Sequence, residues 1–185
     1  MMTHLAGLTV ELIPHCSSVP RQGWRGSHDE RPLTDAGHEQ AKSLAQSLGN
    51  VDAIYTSPAV RCRQTVQPLA ETASVPVEVL DDLREVDRVP GPEAWVNGVL
   101  ADFAQPLGGA WTGGRGLRAL LTIAERNPRR RVATCSHGDT IPLLLSVLCA
   151  VYDTRVPVIP ARGGWFRLDF GYDTLTVESK GTPFR

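Results

Sequence analysis

Short apolar runs alternate with stretches of helical periodicity along the chain. This alternation predicts an α/β fold, a largely parallel central sheet flanked by helices. Two histidines, His15 and His137, fall at the ends of predicted strands, where such sheets collect ligands. With 185 residues, no internal repeat, no linker and no change of composition, residues 1–185 read as one domain with length enough for a real core.

The first strand is "GLTVELIP", continuous enough in apolar and β-branched residues to be buried. The polar stretch "SSVPRQGWRGSHDERP" follows as a long loop, and loops of that length in compact domains are often functional. Thr34 reads as the N-cap of a helix whose buried face carries Ala41, Leu44, Ala45 and Leu48. "VDAIYTS" is the second strand. Ser57 reads as the next N-cap, with Pro58 in the first turn, and Pro68 is expected to kink or divide the helix that follows. "VPVEVL" is a short strand, and residues 92–104 read as helical. The glycine-rich "PLGGAWTGGRG" reads as a turn region, followed by the helix "LRALLTIAERN", which Pro128 stops. "RRVATCS" is a strand, "GDTIPLLLSVLCAVY" an apolar buried helix, and "GWFRLDFGYDTLTVES" a terminal hairpin.

Composition narrows the functional classes. The formal net charge of −1 gives no global basic field to attract nucleic acid or membrane. All but two of the 19 basic residues are arginine, whose planar fork suits phosphate, although a G+C-rich genome produces the same bias. No run approaches the roughly 18 apolar residues that span a bilayer. Cys16, Cys62, Cys135 and Cys149 are scattered without a C-x-x-C pair, as expected of buried free thiols in a cytoplasmic protein.

The segment "SHGD" places Gly138 and Asp139 at a helix opening, where free backbone N–H groups favour an anion. Arg61, in "SPAVRCRQT", lies near another strand end. Two histidines, an arginine and a helix N-terminus could form a phosphate cradle. Taken singly, a strand-end histidine is more often structural and a helix arginine more often solvated. His15, Cys16, Cys135 and His137 are also acceptable zinc ligands, but neighbours along a strand point to opposite faces and cannot easily donate in pairs.

Taken in order, "ELIPHC", "RPLTDAGHEQA", "IYTSPAVRCRQT", "DLREVD" and "VATCSHGDTI" resemble the motif segments of the histidine phosphatase superfamily, the phosphoglycerate-mutase-like proteins, across residues 8 to about 150. The resemblance implies a three-layer phosphoglycerate-mutase-like fold. It also implies hydrolysis of a phosphomonoester or a phosphohistidine through a phosphohistidine intermediate on His15. Arg61, His137 and Gly138 would then bind phosphate. Glu85 would protonate the leaving group, with Asp87 or Asp139 as alternatives. It implies no metal and no cofactor, because guanidinium and imidazolium carry the charge. The partner would be a phosphorylated small molecule or a phosphoprotein. The short chain is more similar to the small phosphatases than to the mutases. Its "GWRG…RPL" and "RCRQTVQPLA" wording also resembles the phosphatase-like domain fused to Nudix hydrolases in some bacteria.

Two positions depart from the family pattern. Pro14 stands where the family has its first motif arginine, and Cys16 where it has a glycine or alanine. A charge-assisted contact that strengthens in the transition state contributes about 2–4 kcal/mol, so its loss predicts slow turnover. Arg21, Arg25 or Arg84 could replace the missing clamp, and Trp24 could face the substrate or hold the loop. The alternative is a catalytically degenerate member that binds a phospho-ligand or protein without hydrolysis. Arg63, His4, His28 and His38 read as surface residues.

Overall fold

The computed structural model describes residues 3–85 and 104–181. Six strands form one sheet: β1 (Thr9–Pro14), β2 (Ala53–Thr56), β3 (Val77–Val79), β4 (Arg131–Ser136), β5 (Trp165–Phe170) and β6 (Leu175–Lys180). Their spatial order is β3-β2-β4-β1-β5-β6. The first four are mutually parallel, while β5 runs antiparallel to β1 and pairs with β6 as a hairpin. The helices are α1 (Asp35–Leu48), α2 (Val60–Ala73), α3 (Ala104–Arg126) and α4 (Thr140–Val151).

Strand pleating sorts the core into two layers. Val10, Leu12, Tyr55 and Val132 pack with Leu120 and Ile123 of α3 and Leu144 of α4. Ile13, Ile54, Ala133 and Cys135 point to the other face, against Leu44 and Leu48 of α1 and Cys62 and Leu69 of α2. The result is the expected three-layer α/β arrangement with a mostly parallel sheet. Among the described residues no helix is long and apolar enough to cross a membrane.

Thr34 caps α1 as expected, its hydroxyl accepting from Gly37 N at 3.1 Å. Two other expectations need correction and a third is narrowed. The helix after β2 begins two residues later than Ser57-Pro58 implied, with Ala59 as N-cap, and Ser57 turns its hydroxyl to other work. Of the two outcomes expected at Pro68, division of the helix does not occur, since α2 runs on through it. The glycine-rich stretch 106–116 is not a turn region but part of α3. Its glycines permit close helix contact: a Cβ on Gly113 would meet Val147 Cγ2 of α4 at 2.7 Å and the Leu143 carbonyl oxygen at 3.0 Å. Burial against α4 thus overrides the weak intrinsic helix propensity of glycine. Of the helix read at 92–104, residues 92–103 lie outside the described residues, as does Asp87.

Candidate active site

The site forms where β1, β2 and β4 end on the same edge of the sheet. Pro14 and Ser136 are paired in register, so His15 and His137 follow at one level, and His15 N–H donates to Ser136 O at 2.9 Å. Backbone groups alternate sides along a strand, so position 14 faces β5 rather than β4. The β1/β5 pairing stops at Leu12 with Phe166, two residues short of Pro14. The missing proline N–H therefore costs no ladder bond, which is why β1 tolerates it.

His15 Nδ1 lies 2.8 Å from the Cys16 carbonyl oxygen. A carbonyl only accepts, so Nδ1 carries the proton and Nε2 keeps its lone pair. Burial, against that backbone bond, and then the electrostatic influence of His137, Arg61 and Arg162 pull the His15 pKa from 6.5 to about 4. At neutral pH His15 is an uncharged imidazole with a free Nε2.

His137 is almost wholly buried and braced on both nitrogens. Ser57 Oγ lies 2.9 Å from Nε2, and Arg61 Nη2 lies 3.0 Å from Nδ1. A guanidinium only donates, so Nδ1 accepts and Nε2–H donates to the serine. Arg61 is itself fully buried. Its Nη2 also donates to Glu85 Oε2 at 2.8 Å, and its Nη1 to the His28 carbonyl at 2.8 Å. With both Nη2 hydrogens assigned, the 2.8 Å contact between His28 Nε2 and Glu85 Oε2 is a donation from the histidine. Glu85 follows a short 3-10 turn, Asp81–Leu83, which is fixed from two directions. Ser136 Oγ donates to Leu83 O at 2.8 Å, and Arg115 and Arg118 of α3 hold Asp82. The Asp82 carboxyl is held below its usual range, chiefly by its bond with Arg118.

The structure brings His15, Glu85, His137 and Gly138 to the wall of one cavity of about 430 Å³. Arg61 is not among the lining residues; it sits buried against Glu85 and His137. Among the described residues, the arginines that line the cavity are Arg31 and Arg162. The opening of α4 is already occupied in part, because Thr140 N–H donates to Asp139 Oδ1 at 2.8 Å and Ile141 N–H to His137 O at 3.0 Å. Burial raises the Asp139 carboxyl, but a hydrogen bond with Glu85, backbone N–H groups and His137 outweigh it, leaving its pKa lowered.

Other candidates lie elsewhere. Arg21 and Arg25 are exposed and do not line the cavity. Arg84 is paired with Asp29 and Asp81, and Trp24 Nε1 donates to Ser27 O at 2.9 Å, holding its own loop. Arg63, His4 and His38 are exposed as expected, but His28 is not a surface residue: its side chain is 19% exposed and bonded to Glu85. Sequence reasoning also passed over Ser57, Arg31 and Arg162. The length of the 17–32 loop was a signal for His28 and Arg31. Ser57 resembled a cap, and nothing in the pattern marked Arg162.

All four cysteines are free and buried. Cys16 N–H donates to Thr65 Oγ1 at 3.0 Å, and burial raises the Cys16 thiol to about 11. Burial also raises Cys62, but Cys135, His137 and Arg61 more than offset it, so the Cys62 thiol is lowered; its sulfur lies 3.7 Å from His137 Nε2. Among the described residues no group of three or more His, Cys, Asp or Glu is placed to hold a metal ion.

Residues 12–90 match the family described as the histidine phosphatase superfamily (branch 1). The chain is 35% identical over 145 residues to an 8-oxo-(d)GTP phosphatase of Mycolicibacterium smegmatis, covering 76% of this chain and 37% of that protein. It is 41% identical over 56 residues to the transcription factor tau 55 kDa subunit of Saccharomyces cerevisiae, covering 28% of this chain and 13% of the other. The chain thus spans little more than a third of these curated relatives at most. In fold it resembles a phosphoserine phosphatase of Entamoeba histolytica solved with 3-phosphoglyceric acid. The TM-score is 0.70 at 18% identity, covering 95% of this chain and 98% of that one. Motif order and the family match agree: over residues 12–90 the chain belongs to the histidine phosphatase superfamily (branch 1), and it shares the fold of the solved structure.

Proposed function

We propose that the protein is a phosphatase that hydrolyses a phosphomonoester or a phosphohistidine through a phosphohistidine on His15. The observation that carries this reading is the His15 tautomer. Its Nδ1 proton is committed to the Cys16 carbonyl, its Nε2 lone pair is free, and its ring lines the cavity. A neutral, oriented imidazole is what in-line attack on phosphorus requires. In the first step Nε2 attacks phosphorus and the P–O bond to the leaving group breaks, with Glu85 supplying a proton to the departing oxygen. In the second, water attacks the phosphohistidine, Glu85 takes a proton from the water, and the P–N electrons return to Nε2.

Glu85 can serve as the acid only while protonated, yet Arg61 and His28 both donate to it in the empty site. A phosphoryl dianion draws the Arg61 guanidinium away from Glu85 and places negative charge beside the carboxyl. Arg61 thereby serves two states: it braces Glu85 before binding and the phosphoryl oxygens afterwards. His137 holds Arg61 and borders the reacting group. The Mycolicibacterium relative makes nucleoside phosphates a reasonable part of a substrate panel alongside phosphoserine and phosphohistidine.

Hydrolysis of para-nitrophenyl phosphate by wild type and His15→Ala tests the reading. The variant should lose at least about a thousandfold in kcat/KM, as expected for a nucleophile. The wild type should also yield an acid-labile, base-stable phosphoryl adduct. Equal rates in the two proteins overturn the proposal. Pro14 favours a second reading, a binding module for a phosphorylated ligand. Tight binding without release of phosphate would identify that outcome.

A further inference from the structure

We propose that Arg162, carried by the loop that leads into β5, is the cationic clamp on the phosphoryl group that Pro14 does not provide. The inference rests on the phosphatase reading for its catalytic meaning, though not for its binding consequence.

The placement follows from the sheet. Extending the antiparallel β1/β5 register past Leu12 and Phe166 sets Gly164 opposite Pro14, which puts Arg162 two residues from the strand tip where the motif side chain is missing. Gly164 N–H donates to Ala161 O at 2.9 Å, closing a tight turn with Arg162 and Gly163 at its centre. Gly163 has φ +88°, the left-handed conformation that the third position of a type II turn needs. Gly164 has no room for a side chain, since an added Cβ would lie 2.6 Å from both Lys180 O and Pro160 Cβ. The turn is therefore shaped by its glycines, and it holds Arg162 at the cavity rim.

Pro14, His15 and Arg162 line the same cavity. Arg162 is exposed, and among the described residues it makes no ion pair or side-chain hydrogen bond. Its guanidinium donors are available to an anion. Arg31, the other arginine that lines the cavity among the described residues, is buried at 8% exposure and spends Nη1 on Val19 O at 2.7 Å; its Nε has no partner, but only Arg162 of the two stands exposed at the rim. The charge of Arg162 already reaches His15, where it acts with His137 and Arg61, after burial, to disfavour the protonated ring. A planar fork at this point can span two phosphoryl oxygens, the geometry that the motif arginine would otherwise supply.

The test compares Arg162→Ala, Arg162→Lys and the double variant Pro14→Arg/Arg162→Ala with wild type. Calorimetry measures the affinity for inorganic phosphate, and kcat/KM is measured on para-nitrophenyl phosphate. Arg162→Ala should bind phosphate at least about tenfold more weakly and lose about a hundredfold in kcat/KM. Arg162→Lys should fall between the two, because a point charge replaces a fork. The double variant should regain at least about tenfold in both quantities. Unchanged phosphate affinity in Arg162→Ala, or a loss that Pro14→Arg leaves unrestored, overturns the assignment. If wild type turns over no faster than His15→Ala while phosphate affinity still depends on Arg162, the phosphatase reading fails and the clamp stands.

Discussion

The tips of β1 and β4 lie side by side in the sheet and each ends in a histidine, but the two are held in opposite ways. His137 has both ring nitrogens engaged by other side chains, and one of those partners, Arg61, is linked in turn to Glu85 and His28. The His15 ring has, among the described residues, one hydrogen bond, to the carbonyl of the next residue, and otherwise faces the cavity. Proline and cysteine flank it, and neither brings a charge. In the empty site the braced tip is an electrostatic scaffold whose donors, Arg61 Nε apart, are spent on one another. The open tip is where an incoming phosphoryl group finds an unspent lone pair and, at Arg162, unspent donors. An enzyme of this kind needs both conditions, because an unpaired buried charge is costly while a fully paired site has nothing left to offer a ligand.

The sharpest way to break this contrast is Arg61→Ala. The guanidinium is fully buried and supplies donors to Glu85, His137 and the His28 carbonyl together. Removing it leaves a half-buried carboxylate and a ring nitrogen without their partner, which should cost about 3–5 kcal/mol of stability as well as activity. Urea unfolding at neutral pH measures it. A loss under about 1 kcal/mol, the size of an ordinary surface change, would mean that the network around His137 is not a scaffold.

The open tip should declare itself through pH. His15 binds its proton at about pH 4 in the folded protein against 6.5 in the unfolded chain. Between those values the unfolded state holds more protons, so stability falls as pH drops through this window and changes no further from this source below it. The full excursion is roughly 3 kcal/mol. His15→Gln should flatten the dependence of the urea midpoint across pH 6.5 to 4. Identical slopes in the two proteins would place the burial cost elsewhere.

What the sequence disclosed tracks how local each determinant is. Thr34 and the alternating strands carry their signals within a few residues, and His15, Arg61, Glu85 and His137 sit in ordered motifs; the structure gathers these four into one region. Ser57 misled because its spacing before a helix suits a cap, whereas only the neighbouring strand reveals the imidazole that takes its hydroxyl. His28 and Arg162 belong to loops whose position depends on tertiary closure, so no periodicity announces them. Stretch 106–116 failed for a related reason. Glycine reads locally as a breaker, but here its lack of a side chain is used by a partner helix distant in sequence.

That last point supplies the smallest and most discriminating test, because α4 springs from the braced tip and α3 both packs against it and holds the turn before Glu85. Gly113 is buried against Val147 and the Leu143 backbone, whereas a Cβ on Gly114 meets nothing within 4 Å. In a free helix both glycine-to-alanine changes should stabilise by about 0.5–1 kcal/mol. Here Gly114→Ala should keep that gain. Gly113→Ala should instead destabilise by about 1–2 kcal/mol, because the backbone oxygen at 3.0 Å cannot rotate aside as a side chain can. It should also lower kcat modestly, since pushing α3 from α4 shifts Arg115 and Arg118 and so the Asp82 anchor beside Glu85. If both variants stabilise equally, α3 is helical on propensity alone, and its close seat on α4 has no part in holding the braced tip.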